Sequence, residues 1–363
     1  MLVLQQYLRD GGSLSNLTSN YGITIKPDIV YPNLLLFKYN QIESPMGVKI
    51  VQECRGIILD SENNWRIVSR AFDKFFNTGE GHAAPIDWNN VIVQEKLDGS
   101  IMTLYYYNGW RVASSGNPSA QGSLGVNEEL KFADYFWQAF RNQNLSLPEN
   151  TDICFVFELT GPLNRVVIPH AKVSITLLSA RNLVTQKEYL AHEVNEKLNT
   201  NFPIVAYHKY KSLAEIIESF GFKSPLSHEG CIALSVNADG SINRQKVKHP
   251  GYVAIHHARS GFSDKSFLEI VRSGENSEVI AFYPEFETRL KEITNKYEQL
   301  VANLTQEYDK VRHIENQKEF AQVIRLLPLS NALFSLRSGN VHSIREYLSM
   351  MRLENLMSVL NLS

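Results

Sequence analysis

Up to about residue 250 the apolar positions fall into short runs rich in β-branched and aromatic residues, broken by turn signals. Residues 91–95, 102–107, 153–158, 173–178 and 231–236 read as strands on that composition. Asn108-Gly109 and Ala238-Asp239-Gly240 are among the turns that separate them. Between the strands, helical apolar spacing predicts helices over 127–141 and 212–220. After about residue 262 the pattern changes. Leu290, Ile293, Tyr297, Leu300, Leu304, Tyr308 and Val311 recur at three- and four-residue steps, which predicts one long amphipathic helix. Its apolar stripe is expected to pack as core between helices rather than as a coiled-coil seam. Shorter helices follow, stopped by Pro328 and by Ser338-Gly339, with no strand pattern and no solenoid-length repeat. The expected fold class is α+β: a mixed body over 1–254, then an all-helical C-terminal domain over 255–363.

Composition narrows the picture at a few points. The 363 residues are about twice a usual domain, and 44% hydrophobic with 20% charged residues is ordinary for a globular chain. The formal charge of −2 matters more, because a polyanion must then meet a local basic patch rather than a generally basic surface. The longest apolar runs, such as residues 34–37, are far too short to cross a bilayer, and the N-terminus lacks the pattern of a signal peptide. Cys54, Cys154 and Cys231 are widely spaced and form no CxxC pair. They read as reduced thiols without a zinc site, so the expected location is cytoplasmic.

The chemistry is concentrated around Glu95-Lys96-Leu97-Asp98-Gly99-Ser100. A strand runs into a lysine and then into an Asp-Gly turn, which sets the lysine at a strand end. An amine is a nucleophile only when neutral, and lowering a lysine pKa by 2–3 units from about 10.4 takes about 3–4 kcal/mol. Lys246, Lys248 and Arg55 are cations that would act in that direction. Taken alone, the same hexapeptide is also an ordinary exposed hairpin end. Other fragments accompany it: Glu53-Cys54-Arg55-Gly56, Ala71-Phe72-Asp73-Lys74-Phe75-Phe76-Asn77, Phe157-Glu158, His228-Glu229-Gly230 and Gln245-Lys246-Val247-Lys248. Singly, Glu158 reads as a satisfied edge carboxylate and the Lys246/Lys248 pair as a solvated strand face. An i, i+2 pair nevertheless puts both ammonium groups on one side of a strand, where a phosphate is the natural anion between them. His249, His256 and His257 lack a partner at ligand spacing, and Trp65, Trp88, Trp110 and Trp137 are too scattered for a base-stacking platform.

In this order, from Arg55 through Lys96, Glu158 and Glu229 to Lys248, the set resembles the covalent nucleotidyltransferase superfamily of ligases and mRNA capping enzymes. Within it, segments 53–56, 72–77 and 96–100, with Asn331-Ala332-Leu333-Phe334-Ser335-Leu336-Arg337, look most like the RNA ligase 1 family of T-even phages. The resemblance implies a nucleotidyltransferase domain of ATP-grasp-like antiparallel sheets with flanking helices, followed by a helical domain that sets RNA specificity. It implies that Lys96 attacks ATP and carries AMP, and that Arg55, Lys74, Lys246 and Lys248 hold phosphates and assist catalysis. Glu95 and Glu158 would belong with them to the nucleotide site, Glu158 at the ribose hydroxyls. Glu229, with Glu158, would place a divalent metal, Mg2+ or Mn2+, and Arg55 and Lys74 would also meet the RNA phosphate. Asp98 would either orient the lysine or simply make the turn.

The implied reaction joins a 5′-phosphate to a 3′-hydroxyl of single-stranded or nicked-loop RNA through lysyl-AMP and RNA-adenylate, in RNA or tRNA repair. No membrane or protein partner is required. Where relatives carry a further lysine after the nucleophile, this chain has Ala113-Ser114-Ser115-Gly116, and no aromatic residue stands out in Leu177-Leu178-Ser179-Ala180-Arg181 to stack on adenine. A DNA ligase or capping enzyme is the first alternative, disfavoured because helices replace the β-barrel those enzymes place after the last lysine motif. The second is an RNA-end-binding protein on a decayed ligase scaffold, disfavoured because Lys96, Glu158 and Glu229 are all present.

Overall fold

A computed structural model describes the chain except for residues 41–43, 125–126, 260–262, 274–275, 277–279, 281–283, 326, 328, 342 and 363. Pro328, read above as a helix stop, lies outside the described residues. The chain divides into two compact units, Met1–His249 and Pro250–Ser363.

Among its described residues the first unit carries four sheets. β1 (Ile23–Pro27), β2 (Leu34–Tyr39), β3 (Arg55–Asp60) and β4 (Arg66–Ser69) form an antiparallel meander in that order. The strands that follow are β5 (Phe76–Asn77), β6 (Ile92–Glu95), β7 (Ser100–Tyr106), β8 (Trp110–Ser114), β9 (Ser123–Leu124), β10 (Asn127–Lys131), β11 (Ile153–Thr160), β12 (Ser174–Asn182), β13 (Glu188–Leu190), β14 (Tyr207–His208), β15 (Gly230–Val236) and β16 (Ile242–Lys248). They build a central sheet in the order β13-β12-β11-β7-β8, another in the order β14-β6-β15-β16-β5, and the small pair β9 and β10. Within the two five-stranded sheets β5 and β16 run parallel, and all other pairings are antiparallel.

Local chemistry explains most of these elements. Asn108 and Gly109 both take positive φ, the geometry of a tight hairpin turn, and join β7 to β8. All eight residues of β11 are buried, because it is the middle strand of the central sheet. One side of that sheet packs Leu104, Phe155 and Phe157 against Phe136, Ala139 and Phe140 of helix α4 (Phe132–Asn142). On the other side Tyr105, Ala113 and Cys154 meet Leu34, Leu36, Ile58 and Val68 of the meander. The opposite face of the meander packs against helices α1 (Val3–Arg9), α2 (Leu14–Tyr21) and α3 (Lys49–Glu53), through Leu4, Leu8, Leu17 and Val51.

One expectation is corrected. The helix expected over 127–141 begins only at Phe132: residues 127–131 are β10, and α4 spans Phe132–Asn142. The carboxylate of Asp134 accepts the backbone N–H of Lys131 and caps the start, so the periodicity was read one strand too early. Helix α5 covers Ala191–Lys197. The helix expected near 212–220 is α6 (Leu213–Ser219), with Ser212 accepting the N–H of Glu215 as its cap.

The second unit is helical among its described residues: α7 (Pro250–Arg259), α8 (Asp264–Ser273), α9 (Glu287–Val311), α10 (Gln317–Ile324), α11 (Ser330–Arg337), α12 (Ile344–Met350) and α13 (Leu353–Val359). The long helix is α9, and it buries Leu290, Ile293, Tyr297, Leu304 and Val311 from the foreseen stripe. Arg337, at the end of α11, lays its guanidinium over Phe320 at 4.3 Å and donates to the carbonyls of Ile314 and Glu315. It ties α11 to the link between α9 and α10. No helix among the described residues is long and apolar enough to cross a membrane.

Candidate active site

The site lies in the first unit, where the two five-stranded sheets and the meander converge. Lys96 follows the last residue of β6, and its backbone N–H donates to the carbonyl of Gly230 at the start of β15. Gly230 takes φ +145°, and a Cβ there would lie 2.3 Å from the carbonyl oxygen of Val247. Only glycine lets β15 and β16 approach this closely. On its other side β15 pairs with β6, Cys231 opposite Glu95, which sets the neighbouring Glu229 beside Lys96. The Lys96 Nζ stands 2.5 Å from Glu229 Oε1, and the Lys248 Nζ stands 4.0 Å from the same oxygen.

Two further strands complete the cluster. Glu158 points in from β11 and is buried among Lys96, Arg55, Glu229 and Asp98. Burial raises its carboxyl to about 8, Lys96 and Arg55 opposing that rise and Glu229 adding to it. Burial also raises Glu229, against the pull of Lys96 and Lys248. Lys246 and Lys248 leave β16 on one side, as i, i+2 residues must. Burial first, and then the charges of Arg55, Lys74, Lys96 and Lys248 in the same sense, together lower Lys246 to about 7. Arg55 and Lys246 flank the ring of Phe75, at 4.9 and 5.2 Å from its centroid. Among the described residues the buried Nη1 of Arg55 has no hydrogen-bond partner. Such a crowd of cations, one with an orphaned donor, is stable only with an anion between them.

Two spaces meet at Lys96. A pocket of about 150 Å³ is walled by Phe72, Phe75, Leu178 and Ile232 and carries Arg55, Glu158, Lys246 and Lys248 at its polar end. A cleft of about 850 Å³ shares Arg55, Lys96, Ile101 and Glu158 with it and opens toward the meander. The structure therefore brings Arg55, Lys96, Glu158, Lys246 and Lys248 onto one pocket, with Glu229 paired to two of its lysines. Lys74 borders the cluster: its Nζ lies over the rings of Tyr39 and Phe76, at 5.1 and 5.4 Å, it lines a third cavity, and its charge reaches Lys246.

Asp98 and Glu95 are both held by hydrogen bonds to other segments. The Asp98 carboxylate accepts the backbone N–H groups of Val167 and Ile168 at 2.8 and 2.5 Å, and its carbonyl accepts from His170. It anchors the loop over the turn that follows Lys96. Glu95 lines the small pocket, and its carboxylate accepts from His208 Nε2 and His228 Nδ1, both at 2.5 Å. Burial opposes ionisation of Glu95, but these two hydrogen bonds outweigh it and hold the carboxyl at about 2. The clamp ties the strand end that carries Lys96 to the residue next to Glu229. Nothing in the linear spacing flagged His208 for this, and the apolar walls Leu178 and Ile232 were hidden as ordinary strand residues. The three cysteines are buried and unpaired.

Among the described residues no group of three or more His, Cys, Asp or Glu side chains could hold a metal ion. Glu158 and Glu229 alone fit a hard cation that takes its other ligands from phosphate and water, as Mg2+ commonly does.

The sheets and this cluster define a nucleotidyltransferase-type α+β protein with a helical C-terminal region. A family model described as RNA ligase matches residues 53–252, more than half of the chain, and the chain belongs to that RNA ligase family. An RNA ligase of Rhodothermus phage RM378 is 27% identical over 356 residues, covering 79% of this chain and 80% of the phage protein. A protein of Autographa californica nuclear polyhedrosis virus, named as a bifunctional polynucleotide kinase/RNA ligase, is 24% identical across 100% of this chain, which spans about half (53%) of it. Among solved structures, an archaeal ATP-dependent RNA ligase covers 90% of both chains at 14% identity, with a TM-score of 0.46. A Naegleria gruberi RNA ligase bound to pyrophosphate covers 47% of this chain and 53% of its own, with a TM-score of 0.32.

Proposed function

We propose that this RNA ligase consumes ATP and joins a 5′-phosphate to a 3′-hydroxyl of RNA through a lysyl-AMP intermediate on Lys96. The observation that carries the reading is the convergence of Lys96, Arg55, Glu158, Lys246 and Lys248 on one nucleoside-sized pocket. The base and sugar enter between Phe72, Phe75, Leu178 and Ile232, with Glu158 accepting from the ribose hydroxyls.

Nζ of Lys96 attacks the α-phosphorus, the bond to the β-phosphate oxygen breaks, and pyrophosphate leaves. Before attack the amine must lose a proton, and Glu229, 2.5 Å away and made more basic by burial, is placed to take it. Arg55, Lys246 and Lys248 neutralise the charge that grows on the phosphate oxygens. A divalent cation held by Glu158 and Glu229 would add to that neutralisation. In the second step the RNA 5′-phosphate displaces Lys96 from AMP, and in the third the 3′-hydroxyl displaces AMP from the RNA. The helical unit is assigned the choice of RNA, and repair of broken RNA such as tRNA in the cytoplasm is the setting that fits. Its described residues form helices, which favours this reading over a DNA ligase or capping enzyme with a terminal β-barrel.

The test is to incubate the protein with α-phosphate-labelled ATP, magnesium and a 5′-phosphorylated RNA whose 3′ end is blocked. Label on both protein and RNA is expected. No label from ATP or GTP would overturn the reading and leave a non-catalytic RNA-end binder.

Lys246 supplies a pH signature. Phosphates entering the cluster restore its charge, so ATP binding near pH 7.5 should take up a proton. The sign follows from a lysine lowered to about 7: affinity is fullest below pH 7 and falls as the unliganded group deprotonates above it. Calorimetry in buffers of different ionisation enthalpy should show uptake of about half a proton or more, absent in Lys246→Met. Equal uptake in that variant would assign it to another group.

A further inference from the structure

We propose that Lys26 and Lys38 form a phosphate track on the wall of the 850 Å³ cleft, holding the backbone of the RNA strand whose 5′ end receives AMP. This rests on the ligase reading above and names the path of its second substrate.

The meander's register builds the track. Across β1, β2 and β3 the partners are Thr24, Lys38 and Arg55, with Lys26 opposite Leu36 in the next row but one. Period-two alternation puts Leu34, Leu36 and Lys38 on one face of β2. The first two are fully buried against Tyr105, Ala113 and Cys154 of the central sheet. At Lys38 the sheets part and the same face lines the cleft. The apolar face thus becomes cationic where solvent enters, and the row continues on the adjacent strand to Arg55, whose buried Nη1 lacks a partner among the described residues.

Like charges in neighbouring rows of a sheet repel. Among the described residues no ion pair relieves Lys26 or Lys38, whereas other lysines of the same unit, Lys49, Lys96, Lys197 and Lys248, each stand within 4.0 Å of a carboxylate. Gly116 adds a specific accommodation: a Cβ there would lie 3.2 Å from the Lys38 Nζ. Its missing side chain leaves that ammonium room over the 114–116 turn. Thr24, Ser100, Ser114 and Ser115 contribute hydroxyls to the same walls.

Size separates the two occupants. The 150 Å³ pocket suits one nucleoside, and the cleft, more than five times larger, joins it at Lys96. An extended polynucleotide fills such a cleft, with its terminal phosphate at the adenylated lysine and its preceding phosphates over Lys38 and Lys26. The track also resolves a question posed by the net charge of −2, which demands that a polyanion meet a local patch.

The experiment titrates a short, fluorescent, 5′-phosphorylated single-stranded RNA into the full-length protein without ATP, at several salt concentrations. Lys26→Ala/Lys38→Ala should weaken binding about tenfold and flatten the salt slope by about 1.4, two phosphate contacts at about 0.7 each. Lys26→Arg/Lys38→Arg should restore both. Lys26→Glu, at an exposed position of β1, should weaken RNA binding on its own and serves if the paired alanine variant does not fold. Unchanged RNA affinity and slope would overturn the proposal. So would a loss confined to ATP binding, which would make the lysines holders of pyrophosphate. Because RNA binding is read without ATP, absence of enzyme–AMP in the unmodified protein would sink the ligase reading and leave this measurement decisive on its own.

Discussion

Replacing Lys96 with alanine or with arginine should abolish transfer of label from ATP to the protein, by a factor on the order of 10⁴ or more. The two variants separate charge from nucleophilicity. Arginine keeps a cation beside Glu229 but stays protonated at any working pH, so it cannot attack phosphorus. Alanine removes both, leaving a buried carboxylate with Lys248 at 4.0 Å as its remaining paired cation. The alanine variant should therefore melt earlier than the arginine variant while both are inactive. A rival nucleophile stands in the same pocket: Lys246, held at about 7, is the more readily neutral amine of a generic assay. Label retained in Lys96→Arg and lost in Lys246→Met would transfer the role to Lys246. Mass mapping of the adenylated peptide decides the same question directly.

The second large effect concerns Glu158, and it has opposite signs for stability and for activity. Its carboxyl sits at about 8 because burial penalises the charge, against 4.5 for a free glutamate. Below about pH 4.5 such a raised carboxyl is neutral whether the chain is folded or not, and nothing is lost. Between there and pH 8 the folded state retains a proton that the unfolded state releases, so stability falls as pH rises. At about 1.4 kcal/mol per unit the whole effect is a few kcal/mol. Glu158→Gln removes the ionisation, and the nucleotide-free protein should melt about 5 °C or more higher than the unmodified one at pH 9. The difference should vanish near pH 4. For Glu158→Ala, loss of the ribose contacts should lower the rate of self-adenylation at limiting ATP by about 100-fold, the value of two neutral hydrogen bonds of about 1.4 kcal/mol each. A glutamine variant no more stable at pH 9 would show that the carboxylate is already satisfied in the folded protein. An alanine variant with unchanged adenylation would place the ribose elsewhere.

Much of this protein was legible in the chain itself, for reasons that are local. The strand cores at 92–95, 153–158 and 231–236, the Asn108-Gly109 hairpin and the long helix α9 all follow from period, turn chemistry and β-branched content over a few residues. The failure at 127–131 has a local cause too. A short strand and the helix behind it share apolar spacing, and only the Asp134 cap marks the true start. The chemistry of Lys96, Glu158, Glu229, Lys246 and Lys248 was visible because each sits on a motif whose order along the chain carries information.

What only the tertiary structure decided is which of these groups share a space and how they are charged. Lys96 and Glu229 are far apart in sequence, yet the pairing of β6 with β15 sets them 2.5 Å apart. Burial, which no linear pattern reports, raises Glu158 and lowers Lys246. The Glu95 clamp needs two histidines from different segments, and the shared wall of Lys26, Lys38 and Arg55 needs three strands in register. Residue type and spacing determine which reactions the side chains can perform. The dielectric around them, and the neighbours that long-range pairing supplies, determine which of those reactions the folded protein is built to run.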